Sequence, residues 1–315
     1  MPEDWLSVAL HFALHLDLMV LFGVPLFSLY ALGPASRSSA LSRLYDGAAG
    51  ASVVAGLVLS MWDIVAMAES MTGATGYTQL TAHIFSMVLT GTAVGSAWMV
   101  RVAVLAACLV IVMAWRQHPT RLRIGLALLG AIALATLAWA GHGAMDDGLR
   151  GTLHLAADIA HLLAAGMWVG ALVAFVLLSS ARQVSSAETV RTLSRAASGF
   201  APIGTCIVGM LIATGVINYL FVVGLTIDTL FTTPYGWLLL GKLTLFALML
   251  GLAAGNRYRL SPRLAAAVSA GDAGDAGDYA GAVKALRNSL RAEACAATLI
   301  LALVAWLGTL SPLPF

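Results

Sequence analysis

Of 315 residues, 60% are apolar and only 10% are Asp, Glu, Lys or Arg, with a mean hydropathy of +0.90. Soluble domains charge about a quarter of their residues, so this chain could not clothe a globule in water; lipid-facing helices need no charge at mid-depth. A formal net charge of +2 without a basic arm gives no reason to expect a nucleic-acid partner. Cys108, Cys206 and Cys295 lie in separate apolar segments and suggest neither a disulfide framework nor a C-x-x-C clip.

A spanning helix needs roughly 20 mostly apolar residues. Windows of that kind fall near 6–30, 46–68, 92–115, 122–140, 152–179, 198–224, 235–256 and 290–310. The first follows Glu3 and Asp4 rather than a basic segment and is too long for a signal-peptide core, so it is expected to remain in the membrane. The stretch 77–90, with Tyr77, His83, Phe85 and Met87, is too short to span and is expected to lie at the interface. The chain is therefore expected to be an all-α integral membrane protein of about eight transmembrane helices.

Orientation follows from the short loops. Fourteen of the 17 Lys and Arg fall in the odd-numbered loops, from Arg37 and Arg43 through Arg116, Arg121 and Arg123 to Lys284, Arg287 and Arg291. Those loops are expected to be cytoplasmic and both termini to lie on the other side. A Gly/Asp-rich tract, Gly271 to Asp278, reads as a flexible cytoplasmic linker near 264–285. An internal echo pairs Gly95…Arg101 with Gly236…Lys242, and His15 before Gly23 with His161 before Gly170. It points to two four-helix halves, 1–140 and 141–315, arranged as parallel repeats about an axis along the membrane normal.

On this topology six of the seven histidines, all but His118, fall on or near the non-cytoplasmic side. In the fifth span His154, Asp158 and His161, at i, i+4 and i+7, share a helix face that Trp168 continues. Two imidazoles and a carboxylate can coordinate a divalent ion, or Asp158 can fix a histidine tautomer; a polar network joining helices is the plainer use of the same stripe. The first span offers His11, His15 and Met19, with Asp17 away from that row, and the second offers Asp63, Met67 and Met71. A methionine stripe alone is packing; beside histidines it adds soft ligands suited to Cu(I), while imidazole suits Cu(II). The loop Gly141-His-Gly-Ala-Met-Asp-Asp147 adds His142 on the same side as a capture loop. Arg101 and Lys242 are read as structural, snorkelling or pairing with a carboxylate. No phosphate loop, G-x-S-x-G or H-E-x-x-H occurs, so nothing supports an enzyme or an ATP-driven pump.

The runs His161-Leu-Leu-Ala-Ala-Gly-Met-Trp-Val-Gly-Ala-Leu172, Gly141-His-Gly, Ala213-Thr-Gly-Val-Ile-Asn218-Tyr219, Gly236 to Lys242-Leu and Asn256-Arg257 together resemble the CopD/PcoD family of bacterial copper-resistance membrane proteins. The likeness covers nearly the whole chain in span number and order and is most specific over about 140–260. It implies an inner-membrane protein that moves copper, as Cu(I) or Cu(II), from periplasm to cytoplasm in partnership with a periplasmic carrier of the CopC type. The ligand set His11, His15, His142, His154, Asp158, His161, Met67 and Met71 rests instead on spacing and side. Two other readings stay open: a haem b electron carrier using His15 and His161 as axial ligands, and a copper-binding sensor or assembly factor without transport. Oligomeric state is left open.

Overall fold

The computed structural model describes residues 5–31, 40–73, 79–141, 148–180, 187–225, 228–272 and 279–310. Among them there is no strand, and eight helices are long and apolar enough to cross a membrane. In chain order the elements are α1 (Trp5–Ala31), α2 (Ala40–Thr72), α3 (Ala82–Gly91), α4 (Ala93–Ala114) and α5 (Pro119–Ala135), the last extended by a 3-10 turn (Thr136–Ala140). Then come α6 (Gly148–Leu178), α7 (Ala187–Val222), α8 (Thr229–Thr232), α9 (Pro234–Gly255), a π turn (Asn256–Leu260), α10 (Ser261–Asp272) and α11 (Tyr279–Leu307). The short apolar α3 overlaps the stretch expected at the interface and packs Val88 against Ile64 and Ala68 of α2.

Helix α1 is the hub, packing against α2, α5, α6 and α11, most extensively against α6. Glycine makes that contact possible. A Cβ on Gly170 would lie 2.3 Å from Gly23 Cα, and one on Gly23 would lie 2.2 Å from the Gly166 carbonyl oxygen. Small residues are how transmembrane backbones approach closely, since lipid provides no hydrophobic drive for helix association. One apolar cluster surrounds α1 in the first half, with Leu14, Leu18, Leu105, Leu126 and Leu134 at its centre. A second joins Phe27, Tyr45, Trp168, Phe175, Leu193 and Leu286 toward the face that carries the basic loops.

Three helices exceed the windows expected from hydropathy. Helix α2 begins at Ala40 rather than near 46, α7 at Ala187 rather than near 198, and α11 at Tyr279 rather than near 290. Their first turns are amphipathic and contribute to one cluster built around α6: Leu41 and Tyr45, Val190 and Leu193, Ala282 and Leu286 are all buried in it, and Tyr45 donates to the Ala174 carbonyl at 2.8 Å. A window that scores mean hydropathy discards such turns, because their charged faces cancel their apolar ones. The range 264–285, expected as a linker, is helical up to Asp272 and again from Tyr279; 273–278 lie outside the described residues.

The element order of the first half, two long helices, a short one and two more spans, recurs from α6 onward. In both halves a threonine in extended conformation caps the helix that follows the short one: Thr92 accepts from Gly95 N at 2.9 Å, and Thr233 from Gly236 N at 3.0 Å. Counting from either cap, the ninth residue is the intramembrane cation, Arg101 or Lys242.

Candidate metal-ion site

The expected α6 stripe faces protein, and each member engages α7. His154 is 2% exposed and stacks on Phe221 with centroids 4.9 Å apart, while Arg150 lies over the same ring at 5.4 Å. One turn on, Asp158 Oδ1 accepts from Asn218 Nδ2 at 2.6 Å, and a Cβ on Gly141, the last described residue before His142, would lie 3.5 Å from its other oxygen. Next, His161 Nδ1 lies 2.9 Å from Thr214 Oγ1. The Thr214 hydroxyl donates its single proton to the Met210 carbonyl at 2.6 Å, a back-bond ordinary for threonine in a helix. Its oxygen therefore accepts from His161, which puts the imidazole proton on Nδ1 and leaves the Nε2 lone pair for a ligand. A partner that fixes the tautomer in this way is the usual outer support of a metal-binding histidine.

In the first half, His15 Nδ1 lies 2.7 Å from the His11 carbonyl, which can only accept, so here too Nε2 keeps its lone pair. Arg101 and Asp63 are within electrostatic reach of His15 and form a buried ion pair with each other. Arg101 thus pairs with a carboxylate, and Asp63 serves as its counter-ion. Asp17, expected away from the histidine row, turns toward Gly56 and Ser52 of α2.

The expected ligands do not close on one point. Among the described residues no group of three or more His, Cys, Asp and Glu side chains is placed to hold a single ion. Met67 packs in the apolar cluster beside α3, and Met71 is 51% exposed at the end of α2. His11 is half-buried and His83 exposed. His142 lies outside the described residues. Two polar foci result, one around His15, Asp63 and Arg101, the other around Asp158, His161, Thr214 and Asn218.

The two foci differ in how their helices close. In the first half α2 and α4 pack together and are tied twice, by Arg101 to Asp63 and by Trp98 Nε1 donating to the Ser60 carbonyl at 2.6 Å. In the second half α7 and α9 stand apart around a largely apolar cavity of about 590 Å³ that His161 and Lys242 line. The position matching Trp98, six residues after the threonine cap, is Leu239, which lines this cavity. Toward the basic face, Trp168 separates it from a second cavity of about 240 Å³ lined by Asn256, Arg257 and Glu293.

Sequence reasoning missed Thr214 and Glu293 and gave Asn218 and Asn256 no role. A threonine in a helix carries no signal of what it meets across the interface. Glu293 does carry one, as an acid within an apolar span.

These features define a polytopic membrane protein with polar foci and support-fixed histidines inside its helix bundle. Comparison with known sequences gives the family. The profile described as "Copper resistance protein D-like, N-terminal domain" matches residues 1–152, and "Copper resistance protein D" matches 194–307. The chain belongs to the copper resistance protein D family. It is 45% identical over 310 residues, 98% of each chain, to "Copper resistance protein D" of Pseudomonas syringae pv. tomato. It is 26% identical over 257 residues, 82% of this chain and 85% of the other, to "Inner membrane protein YebZ" of Escherichia coli K12. Over 123 residues, 38% of this chain and 21% of the other, it is 36% identical to "Copper transport protein CutJ" of Bacillus subtilis. No solved structure matches.

Proposed function

We propose that this chain carries copper ions across the bacterial inner membrane from periplasm to cytoplasm, receiving them from a CopC-type carrier. The observation that carries the reading is His161, whose tautomer is held by Thr214 so that Nε2 keeps a lone pair in the wall of a cavity between helices. The copper resistance and copper transport names of its relatives support the cargo. The excess of Lys and Arg in the odd-numbered loops supports a periplasmic side for both termini and for the histidine-bearing ends. Capture draws on His11 and His15 at one focus and on His154, Asp158 and His161, with His142 of the preceding loop, at the other; Met67 and Met71, which pack or project elsewhere, take no part. Since the foci are separate, the ion exchanges between small ligand sets rather than resting in one full shell, which suits passage better than storage.

The test is copper accumulation in cells expressing the chain or a His154→Ala/His161→Ala variant at matched membrane levels. Accumulation by the parent alone supports the reading; equal copper content in parent, variant and empty-vector cells refutes import. The large apolar cavity favours one second reading: it could seat a planar macrocycle, with His161 as axial ligand and Lys242 beside its carboxylates. A stoichiometric Soret band in the purified protein would establish that reading in place of transport.

A further inference from the structure

Glu293 of α11 is 3% exposed, deep in a helix that spans the membrane, and no described cation pairs with it. Its one well-formed side-chain contact is the amide of Asn256, whose Nδ2 donates to Oε2 at 2.8 Å. Asn256 opens the single π turn of the chain's described residues, a backbone irregularity often found at functional sites. The side chain is about nine-tenths buried, and its Oδ1 has no hydrogen-bond partner. The Trp168 indole nitrogen approaches the same carboxylate without forming a regular hydrogen bond. Arg257, the cation that shares this cavity, is engaged elsewhere: it donates to Thr205 and lies over the Tyr258 ring at 5.2 Å. Glu293 and Asn256 both line one cavity of about 240 Å³, where the carboxylate has no described counter-cation and the amide oxygen just behind the wall has no donor, a pairing that a cation would satisfy. The cavity also has room for waters to complete its shell.

We propose that Glu293 and Asn256 form an inner cation site on the cytoplasmic half of the copper path, separated from the His161 cavity by Trp168. This rests on the transport reading above. Trp168 continues the His154, Asp158, His161 stripe and walls both cavities, so the two align end to end along α6. Oxygen donors hold a soft or borderline ion more weakly than imidazole or thioether does. Weak holding fits an exit, from which the ion must leave.

The experiment compares the parent with Glu293→Gln and Glu293→Asp at matched membrane expression. Cellular copper is measured, along with infrared difference spectra of the purified proteins on copper addition. The expected result is loss of accumulation to the empty-vector level in Glu293→Gln and substantial retention in Glu293→Asp. A carboxylate band that shifts with copper in the parent should be absent from Glu293→Gln, with unchanged thermal stability excluding a folding defect. Parent-level accumulation by Glu293→Gln overturns the proposal. If the parent itself accumulates no copper, the transport reading fails separately. The spectra then decide: a copper-induced band that needs Glu293 upholds the inner site, and its absence overturns it.

Discussion

Replacing Gly170 with alanine tests whether the α1–α6 crossing is set by bare backbone. The added Cβ would lie 2.3 Å from Gly23 Cα and 2.4 Å from its carbonyl carbon, where ordinary contact begins at 3.4 Å, so the helices must part by about 1 Å. A radial gap of about 0.5–1 Å already forfeits a quarter to a half of each dispersion contact, and this is the most extensive helix pair among the described residues. Overpacking of this kind costs about 1–3 kcal/mol. In thermal melts in detergent followed by size-exclusion chromatography, Gly170→Ala should lose its monodisperse peak several degrees below the parent. Gly251→Ala is the control: nothing lies within 4 Å of its Cβ position, and alanine in a helix interior gains up to about 1 kcal/mol. Equal melting of Gly170→Ala and parent, or an equal loss in both variants, would refute the reasoning.

Removing one partner of the buried Arg101–Asp63 pair should destabilise strongly. Asp63→Asn is expected to cost about 3–5 kcal/mol, and the double variant Arg101→Met/Asp63→Leu to recover most of it, as thermal melts of the three proteins will show. Thr214→Val removes the acceptor that fixes the His161 tautomer, so copper affinity by equilibrium titration should fall about 10–100-fold while the melt stays near the parent's. Tyr45→Phe removes a buried hydrogen bond to a carbonyl that keeps its helical partner and should lower stability by about 0.5–1.5 kcal/mol, with copper accumulation unchanged.

The spans were legible because a long apolar run has few other uses, and the ion pair at Arg101 was legible because a cation at membrane depth must find a carboxylate or the interface. The echo led to Thr92 and Thr233 only once the backbone showed both as caps. The amphipathic first turns of α2, α7 and α11 were hidden by averaging. Helical periodicity correctly grouped His154, Asp158 and His161 on one face, yet it says nothing of distance between helices. The expected gathering of histidine and methionine ligands was therefore beyond it: Met67 and Met71 share a side of the membrane with the histidines but pack or project elsewhere.

The contrast between the two seams has a mechanical consequence. The α2–α4 seam is cross-braced by a tryptophan and an ion pair, so prying it open breaks two directional bonds at once. At the matching positions of the other seam stand Leu239 and Lys242, around a hollow. Strain applied to the bundle, as by a change in bilayer thickness, therefore concentrates in the second seam, and stiffness in the first makes it the anvil against which the second yields. Introducing a matching brace there, an aromatic donor at Leu239 facing α7, would convert the compliant seam into a second rigid one.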